Sequence, residues 1–241
     1  AVRDLWSLYH FLLPGYLGSR KDFQQFYEKP LSGNLPDASV LKRLRMRIAP
    51  FMLRRTKAKV AKDLPPKIHQ TIYCEPSATQ QKTYAKLLSQ GAAKVDALED
   101  GSARMQILTV LLRLRQASCD LRLLDPDISL SQEEASSKMV RLLEMLIEAK
   151  QGGHRVLLFS QFTSMLTLIK TALDAADISY AYLDGATRDR TKEVENFQSP
   201  SGPDVFLISL KAGGYGLNLT AADTVIHFDP WWNPAVEGQA I

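Results

Sequence analysis

The chain has 241 residues, of which 45% are hydrophobic, and this is enough for one large or two smaller domains with a buried core. No apolar run approaches the roughly 18 residues of a membrane-spanning helix, and the first residues lack the basic region and cleavage site of a signal peptide, so we expect no membrane partner. Charge is uneven, with 14 Lys and Arg against 5 Asp and Glu in residues 1–70 and 16 against 21 in the remainder. The basic first part predicts a polyanionic partner.

Two short amphipathic segments are predicted to be helices near the start of the chain. Residues 5–13 have helical apolar spacing and stop at a Pro-Gly pair. Residues 21–31 are predicted to present three aromatic side chains on one helical face, namely Phe23, Phe26 and Tyr27.

A basic helix is predicted over residues 38–66, with an interruption at Pro50. Nine cations lie between its apolar positions: Lys42, Arg43, Arg45, Arg47, Arg54, Arg55, Lys57, Lys59 and Lys62. Such a surface suits phosphate contacts, but a solvated helix face has the same composition, and the spacing leaves both interpretations open.

The middle of the chain is predicted to form a strand followed by two helices. Residues 67–76 alternate apolar and polar positions, which is typical of a half-buried strand. Ser77 is a candidate N-cap for a helix over 77–91, and a second helix with a wide apolar face is predicted over 103–119. Residues 120–137 have the composition of a loop and mark a candidate domain boundary.

Cysteine and histidine usage argues against a metal or disulfide protein. The two cysteines, Cys74 and Cys119, form no CxxC pair, and no histidine lies at metal-ligand spacing from either. We therefore predict two reduced thiols, no metal site, and structural roles for the four scattered histidines.

From residue 138 onward, helices alternate with continuously apolar strands. A helix over 138–153 is followed by a strand, a helix, a strand, a helix and two further strands, the last of which ends near residue 229. Strands separated by helices of roughly 10–15 residues favour right-handed crossovers, and their continuous apolarity is typical of a sheet covered on both faces. We therefore predict an α/β fold, a parallel sheet covered by helices and preceded by an all-helical segment.

Polar residues follow three of these predicted strands. Ser160 and Gln161 follow the first, Asp184 and Gly185 follow the second, and the segment "KAGGYGLNL" over 211–219 follows the third. Ligands of an open parallel sheet bind beyond the carboxyl ends of its strands, so these residues are expected at one site.

The segment 211–219 combines three glycines with a lysine. Successive backbone N–H groups in such a loop can form a nest for phosphate oxygens, to which Lys211 adds a point charge. A tight turn required only for packing has the same composition, and both interpretations stay open. The chain contains no GxxxxGK[ST] sequence and no acidic pair at the end of an apolar strand, so we predict that it lacks the parts that hold a triphosphate and Mg²⁺.

Several segments, in order along the chain, resemble the Swi/Snf-related, helicase-like DNA translocases of superfamily 2, and a bacterial member in particular. They are "DLWSLYHFLLPGYLGS", "FMLRRTKAKVAKDLPPK", "QQKTY", "LRLRQASC", "LLFSQFTSML", "YLDGAT" and "LISLKAGGYGLNLTAADTVIHFDPWWNPAVEGQA". Paired tryptophans flanked by prolines, as in the last segment, can be core anchors, but together with the glycines they are specific to this family. The resemblance implies the end of a first lobe with a helical protrusion over 1–66, a linker strand and a second helical protrusion over 67–137, and a second RecA-like lobe over 138–241.

The resemblance implies a double-stranded-DNA-dependent ATPase that moves along DNA, with ATP and Mg²⁺ bound between two lobes. The residues that it would place against DNA are Arg54, Arg55, Lys57, Ser160, Gln161, Gly185, Ser209, Lys211, Trp232 and Asn233. The residues that it would place at the ATP cleft, or between that cleft and DNA, are Gly214, Gly216, Asn218, Asp223 and Gln239. The implied partners are double-stranded DNA, the first RecA-like lobe of the same protein and a protein–DNA complex as remodelling target. The implied location is the bacterial cytoplasm at the nucleoid, or the nucleus in a eukaryote.

The resemblance also implies an incomplete catalytic apparatus. In this family the phosphate loop and the acidic Mg²⁺ motif come before the first residue of this sequence, and the arginine fingers come just after Ile241. We therefore expect no catalytic residue within the chain, and no ATP binding or hydrolysis by the chain alone. Two alternatives stay open, the C-terminal half of an RNA helicase and a non-catalytic nucleic-acid-binding lobe; the segment "LRRTK…DLPPK" and the helical insertions argue against the RNA helicase.

Overall fold

The computed structural model describes residues 2–32, 35–53, 55, 67–96, 102–213 and 217–231. The chain divides into two compact units, Ala1–Gln70 and Thr71–Ile241. No helix among these described ranges is long and apolar enough to cross a membrane. The division between the units falls inside the predicted linker, and the assignment of three functional parts to the chain stays a prediction.

The regular structure in the described part of the first unit is helical. Its helices are α1 (Val2–Leu12), α2 (Arg20–Phe23), α3 (Lys29–Leu31) and α4 (Ala38–Ile48). They enclose a small core in which Phe23 and Leu44 are 0% and 3% exposed. The Tyr9 hydroxyl donates to the Ile48 carbonyl at 3.0 Å, and this bond ties α1 to the end of α4.

The aromatic segment 21–31 differs from the prediction at one residue. A π-helical turn, Gln24–Glu28, lies between α2 and α3. Phe23 and Tyr27 are buried but Phe26 is 53% exposed, so the prediction that these three aromatic side chains share one face was wrong for Phe26. A wider helical turn changes the angle between successive side chains, which a constant period of 3.6 residues does not allow for.

The basic helix α4 is shorter than predicted. Its start is capped by Asp37, whose carboxylate accepts the N–H groups of Ser39 and Val40 at 2.8 Å and 3.2 Å. It ends at Ile48 and passes into a 3₁₀ turn, Ala49–Phe51, which contains Pro50. The backbone is extended at Met52, so the predicted helix does not continue through the described residues beyond this turn, because proline has no N–H to extend the ladder. Residues 54 and 56–66 lie outside the described residues.

Residues 67–76 form no strand, and the predicted linker strand was wrong. Ile68 is 92% exposed and Ile72 is 37% exposed, so their alternation does not produce a buried face. The four-stranded sheet of the second unit includes none of these residues. An alternating pattern shows only that one face could be buried, and a strand also needs a neighbouring strand for its backbone hydrogen bonds.

Two long helices, α5 (Ala78–Asp96) and α6 (Ser102–Cys119), begin the regular structure of the second unit. Ser77 caps α5 as predicted, because its Oγ accepts the Gln80 N–H at 3.1 Å while the Gln80 side chain accepts the Ser77 N–H at 3.3 Å. The buried Gln80 amide also donates to the Ala117 carbonyl at 3.1 Å and so connects α5 to the end of α6. The predicted loop that follows contains a short helix, α7 (Gln132–Ala135).

The remainder of the second unit is a parallel sheet covered by helices, which confirms the predicted fold class. The elements follow in the order α8 (Ser137–Gln151), β1 (Val156–Ser160), α9 (Thr163–Ala175), β2 (Tyr180–Leu183), α10 (Arg190–Gln198), β3 (Val205–Ser209), α11 (Leu210–Gly213) and β4 (Thr224–His227). The strand order is β2-β3-β1-β4, and all three pairings are parallel. The two central strands, β1 and β3, are buried at every residue, as strands covered on both faces should be.

The sheet separates two apolar layers. Successive side chains of a strand point to opposite faces, so Leu158 and Leu207 pack in one layer with residues of α8 and α9. Phe159 and Phe206 pack in the other layer, which includes Phe197 of α10. The two layers hold the central strands in register, and this register sets the positions of the polar residues that follow them.

Candidate nucleic-acid interface

The carboxyl ends of the four strands form one polar edge of the sheet. The last residues of β1 and β3, Ser160 and Ser209, lie directly opposite each other in the ladder. Because all the strands are parallel, the residues that follow each strand lie at this same edge. The predicted site residues at this polar edge are Ser160, Gln161, Gly185, Ser209 and Lys211.

The segment after β3 begins as a helical turn where a flexible loop was predicted. In α11, Lys211 is exposed while Leu210 and Ala212 are buried, so the cation projects from an otherwise anchored turn. Gly213 allows this turn to approach β1, since a Cβ there would lie 2.7 Å from Cε1 of the Phe159 ring. The second and third residues of the segment 211–219, Ala212 and Gly213, are therefore required for packing. Residues 214–216 lie outside the described residues, so the predicted nest of N–H groups stays a prediction.

A buried carboxylate organises the turn after β1. The Ser160 hydroxyl donates to Asp229 Oδ1 at 2.5 Å, and the Gln161 N–H donates to Asp229 Oδ2 at 3.2 Å. Ser160 is 0% exposed and Asp229 is 2% exposed. Burial raises the pKa of Asp229, and the hydrogen bonds from Ser160 and Gln161 oppose part of that effect. The Ser160 hydroxyl is thus already donated inside the protein, and Gln161 is the half-buried residue at the surface of this turn.

The turn after β2 is built around a second carboxylate. Asp184 Oδ1 accepts the N–H groups of Ala186 and Thr187 at 2.9 Å and 3.0 Å, and its Oδ2 accepts the Tyr182 hydroxyl at 3.0 Å. Burial acts to raise the pKa of Asp184, but these hydrogen bonds together lower it. Burial and the bond to Asp184 raise the pKa of Tyr182 to about 12. The turn exposes Gly185, around whose missing Cβ no other atom lies within 4 Å, so its backbone is open to close approach.

Asp223 and Asn218 do not lie at the polar edge. Asp223 precedes β4, so it is at the amino edge of the sheet, where its carboxylate lies 2.8 Å from Nδ1 of His154. The Asn218 carbonyl accepts the Gln198 side-chain amide at 2.8 Å, and Gln198 is the last residue of α10, which returns the chain to the amino edge. Burial acts to raise the pKa of Asp223, but its bonds to His154 and Thr224 lower it.

The other predicted site residues fall into two groups. Arg55 belongs to the first unit and is exposed. Seven lie outside the described residues: Arg54, Lys57, Gly214, Gly216, Trp232, Asn233 and Gln239.

The cations of α4 are divided between packing and exposure. The Arg43 guanidinium lies 5.6 Å from the centre of the Tyr27 ring, and that of Arg47 lies 5.3 Å from the centre of the Tyr16 ring. Arg47 also donates to the Tyr16 carbonyl at 2.5 Å. Lys42 and Arg45 are exposed on the same helix. Two of the four cations of α4 therefore contribute to the packing of the first unit as well as to its positive surface.

One cation of α6 and one of α8 contact the segment that follows β4, and the sequence predicted a role for neither of them. Arg115 of α6 donates to the Pro230 carbonyl, and its guanidinium lies 5.6 Å from the centre of the Trp231 ring. Lys138, in α8, lies 6.0 Å from the centre of the Phe228 ring. Nothing in the local sequence indicates these contacts, because they join residues that are far apart in the chain. The buried Asp229, in contrast, could have been suspected from an acidic residue at the end of an apolar run that predicts a strand.

The donor groups of the polar edge fit phosphate oxygens better than Mg²⁺–ATP. Phosphate is bound by cations and by backbone that it can approach closely, and the polar edge provides the exposed Lys211 and the open backbone at Gly185. Mg²⁺ needs free carboxylate oxygens, but Asp184 and Asp229 are both engaged in the hydrogen bonds described above. Across the described part of the chain, no three Asp, Glu, His or Cys side chains are grouped to hold a metal ion.

Comparison with known proteins gives a consistent result for both units. The model of the "SNF2-related domain" family matches residues 1–123, and that of the "Helicase conserved C-terminal domain" matches residues 137–241. The protein named "Uncharacterized ATP-dependent helicase" of Mycoplasma pneumoniae is 41% identical over 239 residues, which are 98% of this chain and 22% of that protein. The human "SWI/SNF-related matrix-associated actin-dependent regulator of chromatin subfamily A member 1" is 35% identical over 252 residues, which cover 100% of this chain and 24% of that protein.

A solved structure is similar over both units as well. The structure described as "Sulfolobus solfataricus SWI2/SNF2 ATPase core in complex with dsDNA" has a TM-score of 0.64 at 31% identity. The match covers 96% of this chain and 49% of that one. This chain therefore spans about half of the solved ATPase core and, at 22% and 24%, about a quarter of the two curated relatives.

Proposed function

Since the chain belongs to the SNF2-related family and carries a helicase conserved C-terminal domain, we propose that it is part of an ATP-driven double-stranded DNA translocase. In this proposal the polar edge contacts the sugar–phosphate backbone of duplex DNA, and the same lobe supplies the second face of the ATP cleft. Relatives named as ATP-dependent helicases support ATP hydrolysis in this family. The solved SWI2/SNF2 core in complex with double-stranded DNA supports the choice of duplex DNA as ligand.

The observation that carries the proposal is the convergence of phosphate-binding groups at the polar edge. Lys211 supplies an exposed cation, Gln161 lies half-buried at the surface of the turn after β1, and the open backbone at Gly185 permits close approach. Ser160 and Ser209 lie beneath this surface at 0% and 3% exposure and support it. Contacts of this kind fix a protein on a duplex without reading its sequence, which suits a motor that moves along any sequence.

The first unit provides a second source of positive charge. Its exposed cations include Lys42, Arg45 and Arg55, and the proposed contacts extend to Arg54 and Lys57. Neutralising phosphates with such cations releases counterions and gives affinity that depends on salt rather than on base sequence. Trp232 and Asn233 complete the proposed DNA contacts of the second unit.

Five residues are proposed to act at the ATP cleft, or between it and the DNA. They are Gly214, Gly216, Asn218, Asp223 and Gln239. The positions of Asn218 and Asp223 near the amino edge favour an indirect action of these two residues rather than contact with DNA. In a two-lobed motor, ligand occupancy can be tied to opening and closing of the lobes, and the first RecA-like lobe is the proposed partner for this chain.

We further propose that this chain does not hydrolyse ATP by itself. Its 241 residues contain no GxxxxGK[ST] phosphate loop, and no three Asp, Glu, His or Cys side chains among the described residues are grouped to hold a metal ion. ATP and Mg²⁺ would then be held largely by the first lobe. The proposed setting is the bacterial nucleoid, or the nucleus for a eukaryotic protein, with a protein–DNA complex as the remodelling target.

The experiment that tests the proposal is ATP hydrolysis by the natural-length protein that contains this chain. It is measured without nucleic acid and with duplex DNA, single-stranded DNA or RNA, with the 241-residue chain as the non-hydrolysing control. We expect strong stimulation by duplex DNA alone. Stimulation by RNA alone would assign the protein to the RNA helicases, and no hydrolysis under any condition would leave a non-catalytic lobe.

A further inference from the structure

Asp229 is a buried carboxylate to which the proposed function assigns no task. It is 2% exposed, and burial raises its pKa, so an ionised side chain at this position is not favourable for folding by itself. It is nevertheless fully engaged, because it accepts the Ser160 hydroxyl at 2.5 Å and the Gln161 N–H at 3.2 Å. A buried polar group that stability does not explain is a candidate for function.

These hydrogen bonds join two neighbouring strands at the polar edge. Asp229 follows β4, whereas Ser160 ends β1, and the Phe228 N–H donates to the Phe159 carbonyl at 3.0 Å just before the two turns diverge. The Ser160 Oγ also accepts the Phe162 N–H at 3.2 Å, directly before α9 begins. Phe162 itself offers no side-chain cap for α9, so the pair of Asp229 and Ser160 is what holds the backbone of this turn.

The segment that contains Asp229 is contacted by two helices of the same unit, α6 and α8. Arg115 donates to the Pro230 carbonyl and lies over the Trp231 ring, while Lys138 lies over Phe228. Arg115 also interacts favourably with the Asp229 charge. The position of the Gln161 turn is therefore linked to α6 and α8 through a single carboxylate.

We propose that Asp229 is a positioning residue for the duplex contact, which fixes the Gln161 turn through Ser160 and ties it to the segment after β4. In this arrangement Ser160 acts through the turn rather than by touching a phosphate. The inference rests on the proposed function, because it presupposes that the polar edge binds duplex DNA. It adds to that function a residue pair, Asp229 and Ser160, whose loss should weaken DNA binding without the loss of any cation.

The sign of the effect separates positioning from simple electrostatics. Asp229→Asn removes one negative charge beside a DNA-binding surface, and on charge alone this should tighten binding to a polyanion. A positioning role predicts the opposite, because Asn replaces one acceptor oxygen with an NH2 donor, so the Gln161 N–H loses its 3.2 Å bond and the Gln161 turn loses its fixed geometry. The variant should still fold, because it replaces a buried carboxylate with a neutral group of the same shape.

A matched control exists at the amino edge of the same sheet. There the Ser179 hydroxyl donates to Asp204 Oδ2 at 2.8 Å and the Asp204 N–H donates to Ser179 Oγ at 3.0 Å. Asp204→Asn makes the same charge change in a similar Asp–Ser pair, away from the polar edge. It should leave duplex binding unchanged.

The test measures the dissociation constant of the natural-length protein for a fluorescent duplex at several salt concentrations. We expect binding by Asp229→Asn about three- to tenfold weaker than by wild type, with an unchanged slope of log Kd against log salt, because no phosphate-neutralising cation is lost. Ser160→Ala should give a similar loss, and the double variant should be no weaker than the weaker of the two single variants. Thermal unfolding of each variant checks that the fold is retained.

The outcomes separate this inference from the proposed function. If the wild type does not bind duplex DNA, the proposed function fails and the inference falls with it. If the wild type binds and Asp229→Asn binds equally or more tightly, only the positioning role is overturned. If Asp204→Asn weakens binding as much as Asp229→Asn does, the positioning role of Asp229 is also overturned. If Asp229→Asn does not fold, the test uses Ser160→Ala instead, and unchanged duplex binding by Ser160→Ala overturns the positioning role.

Discussion

At the polar edge, burial and hydrogen bonding have opposite effects on the pKa of the carboxylates, and their balance differs between Asp184 and Asp229. Asp184 is held by several donors that lower its pKa, so its charge is compatible with the fold. The pKa of Asp229 is raised because burial outweighs its hydrogen bonds. Burial likewise raises the pKa of the Cys119 thiol to about 12, which makes it an inert core residue, as the sequence predicted.

The raised pKa of Asp229 predicts how stability depends on pH. Because the pKa of Asp229 in the folded protein lies above the unfolded value of 3.8, folding favours the protonated carboxyl group. The protonated group therefore contributes stability that is fully present below pH 3.8 and is lost as the pH rises through the folded pKa. The side chain of Asp229→Asn does not ionise. The free energy of unfolding of this variant, relative to wild type, should therefore increase as the pH rises through the folded pKa of Asp229 and be constant at higher pH. Denaturant unfolding of both proteins across this pH range measures the difference, and a wild type that gains on the variant with rising pH would contradict the assignment.

At the scale of elements, the turn after α10 shows how one arginine replaces a missing cap. The Arg155 guanidinium donates to four backbone carbonyls at 2.8–3.1 Å, those of Phe197, Ser199, Pro200 and Gly202. It thereby satisfies the end of α10 and attaches it to the residue before β1. A Cβ at Gly202 would lie 2.5 Å from the Asn196 carbonyl oxygen and 2.7 Å from that of Phe197, so the turn has no room for a side chain.

Two glycine substitutions test this reading of the turns. Gly202→Ala should lower the free energy of unfolding by about 1–3 kcal/mol, because the new methyl group meets backbone that cannot move without breaking the Arg155 bonds. Gly185→Ala is the matched control for stability, since no atom lies within 4 Å of its missing Cβ, and the change should stay within about 0.5 kcal/mol. Thermal or denaturant unfolding measures both. Equal effects of the two substitutions would show that the tight approach at Gly202 is not what determines stability there.

The elements that the sequence predicted well are those whose pattern is local. The four strands are short apolar runs, and Ser77 caps its helix as its position before an amphipathic segment indicates. The strand predicted over 67–76 was wrong because alternation carries no information about a partner strand. Phe26 was misplaced because a π-helical turn is not visible in a 3.6-residue period.

The candidate site was predictable to the extent that strand direction determines it. Ser160, Gln161, Gly185, Ser209 and Lys211 share an edge because each follows or ends a parallel strand. Asp223 comes before its strand, and strand direction alone already places it at the opposite edge. The use of Asp229 as acceptor for Ser160 and Gln161 depends on contacts between residues 68 or 69 positions apart, which no local pattern encodes.

At the scale of the whole molecule, the distribution of charge agrees with a polyanionic ligand. The first 70 residues hold 14 Lys and Arg against 5 Asp and Glu, while the sheet-containing remainder holds 16 against 21. In the acidic remainder, an exposed lysine at the polar edge should make a distinct contribution to DNA binding. Substitution of Lys211 is therefore the most direct test of duplex DNA binding at the polar edge.

The measurement that tests the account most directly is the salt dependence of duplex DNA binding by the natural-length protein and two lysine variants. Lys211→Ala removes an exposed cation of the polar edge. Lys150→Ala removes one in the last turn of α8, at the amino edge, where its ammonium lies 3.8 Å from Asp204. We expect Lys211→Ala to weaken duplex binding and to lower the slope of log Kd against log salt by about 1. We expect Lys150→Ala to leave this slope unchanged. A wild-type slope for Lys211→Ala, or the same decrease for both variants, would contradict the assignment of the polar edge to duplex DNA.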